Sequence, residues 1–298
     1  MTMFKISDTI KSGKILISDG AWGTFLQQMG LAPGECPELW NIEKPDNIYK
    51  IAKSYIDAGS DMIETNSFGG SRFKLAGYGL QEQVTTINRT AAEISRRAAG
   101  SEKHVLGSIG PTGKMLIMGD VTEEDFYIAF KEQAKALFQG GADAIVIETM
   151  SDLDEARLAV QAAKENTSAE IICTMTFERT VSGEYRSMMG VSPTDMVNTI
   201  INSGADIIGA NCGNGIEGMI NIVQEIRKSN TDIPVLIHAN AGLPIYQDGQ
   251  TIFPETPDQM ASYVDALLNA GANVIGGCCG TTPQHIKKIA EIVRKRQS

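Results

Sequence analysis

No run of about 18 apolar residues occurs, so no stretch reads as a membrane-spanning helix. The start, MTMFKISDTIKSGK, lacks the apolar core of a secretory signal, and a cytoplasmic location is expected. Lys and Arg gather only at the basic end of the last helical stretch, PQHIKKIAEIVRKRQ, and the formal charge is −10, which argues against nucleic acid as a partner. The Gly-x-Gly-x-x-Gly, Walker A and His-Glu-x-x-His patterns are missing, which removes the usual dinucleotide, nucleoside triphosphate and zinc-protease signatures. Histidines number only three. The five cysteines, an odd count without a secretory framework, fit a reducing compartment where thiols stay free for metal. Without a Pro/Ser-rich linker, charge block or low-complexity tract, residues 1–298 read as one domain.

What is present is repetitive. Eight short apolar runs recur at 15–21, 61–67, 104–111, 144–150, 170–177, 206–213, 234–242 and 274–280. They are nearly continuous hydrophobics, as parallel strands buried on both faces require. Helical stretches lie between them, including NIYKIAKSYIDAG, EEDFYIAFKEQAKALFQGG, TDMVNTIINSG and TPDQMASYVDALLNAG. Each of these four runs into a related junction: AGSDMI, GGADAI, SGADII and AGANVI, where a glycine stops the helix and a strand begins at once. Eight strand–helix units in this length predict a (β/α)8 barrel, with an open doubly wound sheet as the other arrangement. Long loops at 22–46 and 178–195 follow strands and so belong to the rim where such barrels build sites.

The chemistry-bearing residues stand at strand ends. Cys278 and Cys279 are adjacent, flanked by glycines, and Cys212 closes another run in IIGANCG. In a barrel these share one mouth, and three thiolates suit a zinc ion with one position left open for a ligand to be activated. Three buried core thiols are the plainer alternative. Cys173 reads as core, and Cys36 sits in a loop without a visible partner. Asp19 and Glu148 also end strands; together they could hold the ammonium of an amino acid, with a structural ion pair inside the barrel as the lesser reading for Glu148. Backbone N–H groups of Gly20, Ala21, Trp22 and Gly23 could receive a carboxylate. Asn240, between the two cysteine-bearing strands, could orient a ligand or the metal shell, or satisfy a turn. Glu64 reads as structural or functional with equal weight, and His238 as a hydrogen-bonded core residue before a zinc ligand. His104 and His285 carry no assignment.

DGAWGTFLQ (19–27), ETNSFGGSRFKL (64–75), IGPTG (109–113), ETMSDLDEA (148–156), GANCG (209–213), NAGLP (240–244) and GGCCGTTPQHI (276–286) together resemble the zinc-dependent homocysteine S-methyltransferase family. The resemblance runs over essentially the whole chain and implies a (β/α)8 barrel. It implies Zn2+ bound by Cys212, Cys278 and Cys279, the amino group of homocysteine at Asp19 and Glu148, and its carboxylate by Gly20–Gly23. A zinc-bound homocysteine thiolate would then take a methyl group to give methionine. NAGLP is the form associated with the homocysteine module of cobalamin-dependent methionine synthase. No Asp-x-His-x-x-Gly corrinoid motif is present, so a methylcorrinoid donor would arrive on a separate protein. A small free donor such as S-methylmethionine or betaine, and a non-catalytic zinc-bound subunit of a corrinoid system, are the alternatives. A phosphate-binding barrel is a further rival, which leaves the three cysteines unexplained.

Overall fold

In a computed structural model, which describes residues 5–247 and 249–297, all eight apolar runs form strands. They are β1 Leu16–Ile17, β2 Met62–Glu64, β3 His104–Ile109, β4 Ala144–Met150, β5 Glu170–Met175, β6 Ile207–Gly215, β7 Val235–Asn240 and β8 Val274–Gly277. All pair in parallel, in the order β1-β8-β7-β6-β5-β4-β3-β2. β1 and β2 share no extended ladder. Their seam is joined by Asp61 N–H donating to Ile17 O (2.7 Å) and by Glu64 N–H donating to the Asp19 carboxylate (2.9 Å). This is a nearly closed (β/α)8 barrel in a single domain.

Six of the apolar runs overshoot the regular strands at the carboxyl end, by the most where the strands stop at Ile17, Glu64 and Gly277, because there the chain leaves the ladder to build the mouth. The stretch TPDQMASYVDALLNAG, expected as one helix, is two: Pro257–Ser262 and Val264–Ala270, parted at Tyr263. Loop 22–46 carries the helices Gly23–Gln28 and Trp40–Glu43, and loop 178–195 carries a hairpin, Glu178–Arg179 with Tyr185–Arg186. A second hairpin, Ile245–Gln247 with Gln250–Ile252, follows β7 and was not anticipated.

The four glycine junctions form one device repeated around the bottom of the barrel. Asp61, Asp143, Asp206 and Asn273 open β2, β4, β6 and β8. Each donates its N–H to the preceding odd strand, to Ile17, Val105, Ile171 and Val235 O (2.7–2.9 Å). Each side-chain oxygen accepts the N–H of that same residue. A helix cation closes each clamp: Arg96 on Asp143, Lys164 on Asp206 and Arg227 on Asn273, each from the helix ahead of the odd strand, and Arg294 of the last helix, Pro283–Gln297, on Asp61. The junction glycines Gly59, Gly141, Gly204 and Gly271 have φ of 101–113°, which residues with a Cβ rarely adopt.

Side chains alternate in and out along every strand. The inward set begins apolar: Leu16, Met62, Leu106, Val146, Ile172, Ile207, Leu236 and Val274, plugged from below by Ile6 and Ile10 of the helix Ile6–Lys11. Glu170 accepts the N–H groups of Ile6 and Ser7 and fixes that plug. Two residues further along, seven inward positions become Ser18, Glu64, Ser108, Glu148, Thr174, His238 and Gly276, and in β6, where Gly209 intervenes, Asn211 follows four residues after Ile207. The core therefore turns polar in one step just below the mouth.

Candidate metal centre

β6 brings Cys212 to the mouth through a break in its pairing with β7, between Asn211 and Gly215, and Cys212 itself is left-handed (φ 58°). Such bulges re-aim a side chain at a site. Cys278 and Cys279 follow β8 in a segment pinned on both sides. Gly277 N–H donates to Asp19 O, Cys278 N–H to Ala239 O, and Ala241 N–H to Cys279 O. Thr281 Oγ1 donates to Cys278 O (2.7 Å) and fastens the turn. The three sulfurs lie within 4.8 Å of one another, with Cys212 and Cys279 3.9 Å apart. Tetrahedral zinc with Zn–S bonds of about 2.3 Å requires sulfur separations of about 3.8 Å, so the donor set fits the ion. Hydrogen bonding with the Cys278 and Cys279 sulfurs holds the Cys212 thiol down to about 3. The other two are pushed up in return, Cys279 to about 12, because the cluster shares its charge. Asn240 lies beside Cys212, and its buried Oδ1 has no hydrogen-bond partner among the described residues.

The sulfurs open into a cavity of about 260 Å³, the scale of a small metabolite site. Its floor is acidic. Glu148 accepts a hydrogen bond from Ser108 Oγ, while Glu64 Oε1 and His238 Nε2 are buried with no hydrogen-bond partner among the described residues. His238 Nδ1 lies 3.4 Å from Glu64 Oε1. Gly276 makes the space, since a Cβ there would stand 2.7 Å from the His238 ring. Burial, then repulsion from Asp19, holds Glu64 well above the ordinary carboxylate range, and burial with repulsion from Glu64 does the same to Glu148. Burial lowers His238, against the opposing pull of the Asp19 and Glu148 carboxylates. An uncompensated acidic floor of this kind is built to receive a cation.

A family model described as homocysteine S-methyltransferase matches residues 16–293. The chain belongs to the homocysteine S-methyltransferase family. Methionine synthase of Mycobacterium leprae (strain TN) is 30% identical over 296 residues, and that of Mycobacterium tuberculosis (strain ATCC 25618 / H37Rv) 31% over 302. Each match covers 95% of this chain but 24% and 25% of those proteins, so the chain spans about a quarter of the relatives' length. Among solved structures, the homocysteine methyltransferase MmuM from Escherichia coli in its oxidised form is 25% identical, with a TM-score of 0.74 over 95% of this chain and 96% of that one. Its metallated form, at 23% identity and TM-score 0.78, covers 96% and 98% and agrees in fold.

Within this homocysteine S-methyltransferase barrel, the residues singled out from sequence fall in three groups. Cys212, Cys278, Cys279, Glu148 and Gly20 to Gly23 line the cavity. Asp19 does not. It is fully buried behind the wall, its oxygens taken by Ser18 Oγ, Trp22 Nε1 and Glu64 N–H. The Ala21 N–H is spent on Thr281 Oγ1 (3.0 Å), which removes it as a carboxylate donor. Asn240 is also set back from the cavity wall, beside Cys212. Glu64, His238, Ser108 and Thr149 do line the cavity and were not placed there by sequence. Cys173 is core as expected, and Cys36 has a partner after all, its thiol donating to Glu38 (3.4 Å).

Proposed function

We propose that the chain binds zinc through Cys212, Cys278 and Cys279 and methylates the sulfur of homocysteine to give methionine. One observation carries the reading: three convergent sulfurs and an acidic floor share one small cavity. Zinc held there would keep a thiol ionised at neutral pH, where a free thiol of pKa about 8.5 is mostly protonated. The protein's own groups do the positioning. Glu148, braced by Ser108, and Glu64 face the substrate ammonium, with Asp19 adding negative charge from behind the wall. The Trp22 and Gly23 end of the loop faces the carboxylate.

The donor we assign is a methylcorrinoid carried by a separate protein surface. The rim supports this: Ile117 (80% exposed), Met118 (73%), Met188 (87%), Leu243 (60%) and Tyr246 (80%) crown the loops after β3, β5 and β7. Apolar side chains exposed in such number around a mouth mark a docking face, and a small free donor would leave them idle.

The test supplies zinc under anaerobic conditions, measures bound metal, then adds homocysteine with methylcobalamin, S-methylmethionine or betaine and follows methionine. One zinc per chain and turnover with methylcobalamin are expected. Turnover with a small sulfonium or ammonium donor alone would replace the donor assignment. A protein that takes up no zinc would overturn the whole reading.

A further inference from the structure

Among the described residues, only two other than glycine have a left-handed backbone: Thr149 (φ 61°) and Cys212 (φ 58°). They lie on different strands, yet both sit in a break of strand register, between Ile147 and Met150 in β4 and between Asn211 and Gly215 in β6. A residue with a branched β-carbon in this region is strained and persists only where its surroundings over-determine it. One fully buried side chain connects the two sites. Asn211, immediately before Cys212, accepts the Thr149 N–H (2.7 Å) and the Thr174 hydroxyl (2.7 Å) at Oδ1. Its Nδ2 donates to Thr149 Oγ1 (2.7 Å) and points at Cys278 Sγ (3.9 Å). Those four contacts use the whole capacity of a carboxamide. Thr176 adds a tie in the same direction, its hydroxyl donating to Asn211 O (2.9 Å).

Glu148 precedes Thr149, and Cys212 follows Asn211. The amide therefore holds the acidic floor and the sulfur cluster at a fixed spacing. We propose that Asn211 is a positioning residue that sets the distance between the cysteine cluster and Glu148, and so makes the site selective for the chain length of a thiol amino acid, homocysteine over cysteine. The selectivity rests on the function proposed above; the spacing rests on geometry alone. Asn211 does not line the cavity, so it acts through Thr149 and Cys212 and not by touching the ligand. Aspartate, the same shape, loses both N–H donors; glutamine is a methylene too long.

The experiment compares wild type with Asn211→Asp and with Asn211→Ala combined with Thr149→Gly, where glycine takes the left-handed backbone freely. Three quantities are read: zinc affinity by chelator competition without thiol, binding of homocysteine and of cysteine by calorimetry, and the backbone at residues 149 and 212 by crystallography. In Asn211→Asp, zinc affinity is expected to fall, and the homocysteine-to-cysteine affinity ratio to drop by about tenfold, the range one methylene commands. The double variant should recover part of that ratio. An unchanged ratio in Asn211→Asp, whether or not zinc is lost, would overturn the proposal and leave Asn211 a local support. Wild type that binds zinc but not homocysteine would instead sink the proposed function. The spacing claim would then stand or fall on whether Asn211→Asp relaxes both left-handed residues.

Discussion

The two ends of this barrel are built by opposite rules from the same eight strands. At the bottom one clamp is used four times: glycine, acid or amide, strand, and a cation from a neighbouring helix. At the top no two strands end alike. β4 and β6 break register, Thr149 and Cys212 are left-handed, and Glu64 Oε1, His238 Nε2 and Asn240 Oδ1 are buried with no hydrogen-bond partner among the described residues. Regularity at one end permits irregularity at the other. The lower clamps and the apolar inward layer fix the frame, so the mouth can carry strain and unpaired polar groups that a ligand would satisfy.

This division makes mutations at the two ends separable, and the largest effect is expected at the top. Cys279→Ala removes one of three sulfurs, and zinc affinity should fall by more than about 100-fold, beyond what loss of an outer hydrogen bond to a ligand costs. Methyl transfer should disappear with it. The clamps are untouched, so the melting temperature of the metal-free protein should move by less than about 3 °C, well under the shift of a core defect. Full metal content in this variant would break the comparison at its strongest point.

Next is Glu148→Gln. It keeps the Ser108 contact but removes the charge we propose to face the ammonium, a hydrogen bond to a charged group worth about 1.5–3 kcal/mol. Homocysteine affinity should weaken by roughly 10- to 100-fold, with zinc content unchanged. Loss of zinc together with homocysteine would mean the floor and the sulfurs are one unit.

The pH dependence sharpens the same point. Glu64 and Glu148 have carboxyl groups raised by burial, so in the free protein they hold protons above the ordinary range. An ammonium binds their ionised forms. Binding should therefore strengthen as pH rises through the raised values and release protons, whereas acidification should weaken it from a pH above the usual carboxylate value of about 4.3. Calorimetry on the zinc-free protein, in buffers of different ionisation enthalpy, reads these protons apart from the one that a zinc-bound thiol would release. No proton release would mean the floor is already ionised.

The bottom was far more legible in the sequence than the top, for a physical reason. Helix stops and strand starts are local, so AGSDMI, GGADAI, SGADII and AGANVI announce themselves, and eight buried runs imply eight parallel strands. The sulfurs were legible too, because adjacent cysteines between glycines have few other uses. The acidic floor was half visible. Glu64, Ser108, Asn211 and His238 share the inward parity of Met62, Leu106, Ile207 and Leu236, a period-two signal hidden inside runs that read as continuously apolar. Asp19 was placed on the cavity wall because it ends a strand, but the β1–β2 seam needs its carboxylate for the Glu64 N–H. The bulges at Thr149 and Cys212 leave no trace in composition, since they arise from hydrogen bonds between strands 62 residues apart (Thr149 to Asn211).

The smallest effect comes from the bottom, and the chain already contains its control. Three clamps use aspartate and the fourth uses Asn273, whose Oδ1 accepts both the Val235 N–H (2.9 Å) and an Arg227 N–H (2.9 Å). Asp143→Asn should thus retain the bond from Val105 N–H and lose only the charge opposite Arg96. Both side chains are about one-third exposed, at 33% and 28%, so solvent screening limits that loss to about 0.5 kcal/mol. Asp143→Ala removes the acceptor as well and leaves a strand N–H unpaired, which should cost about 1–3 kcal/mol. Thermal denaturation separates the two variants. In both, zinc and homocysteine affinities should match wild type, because the polar layer and the mouth lie beyond an intact apolar layer. A change in either affinity would show that the regular end reaches the site after all.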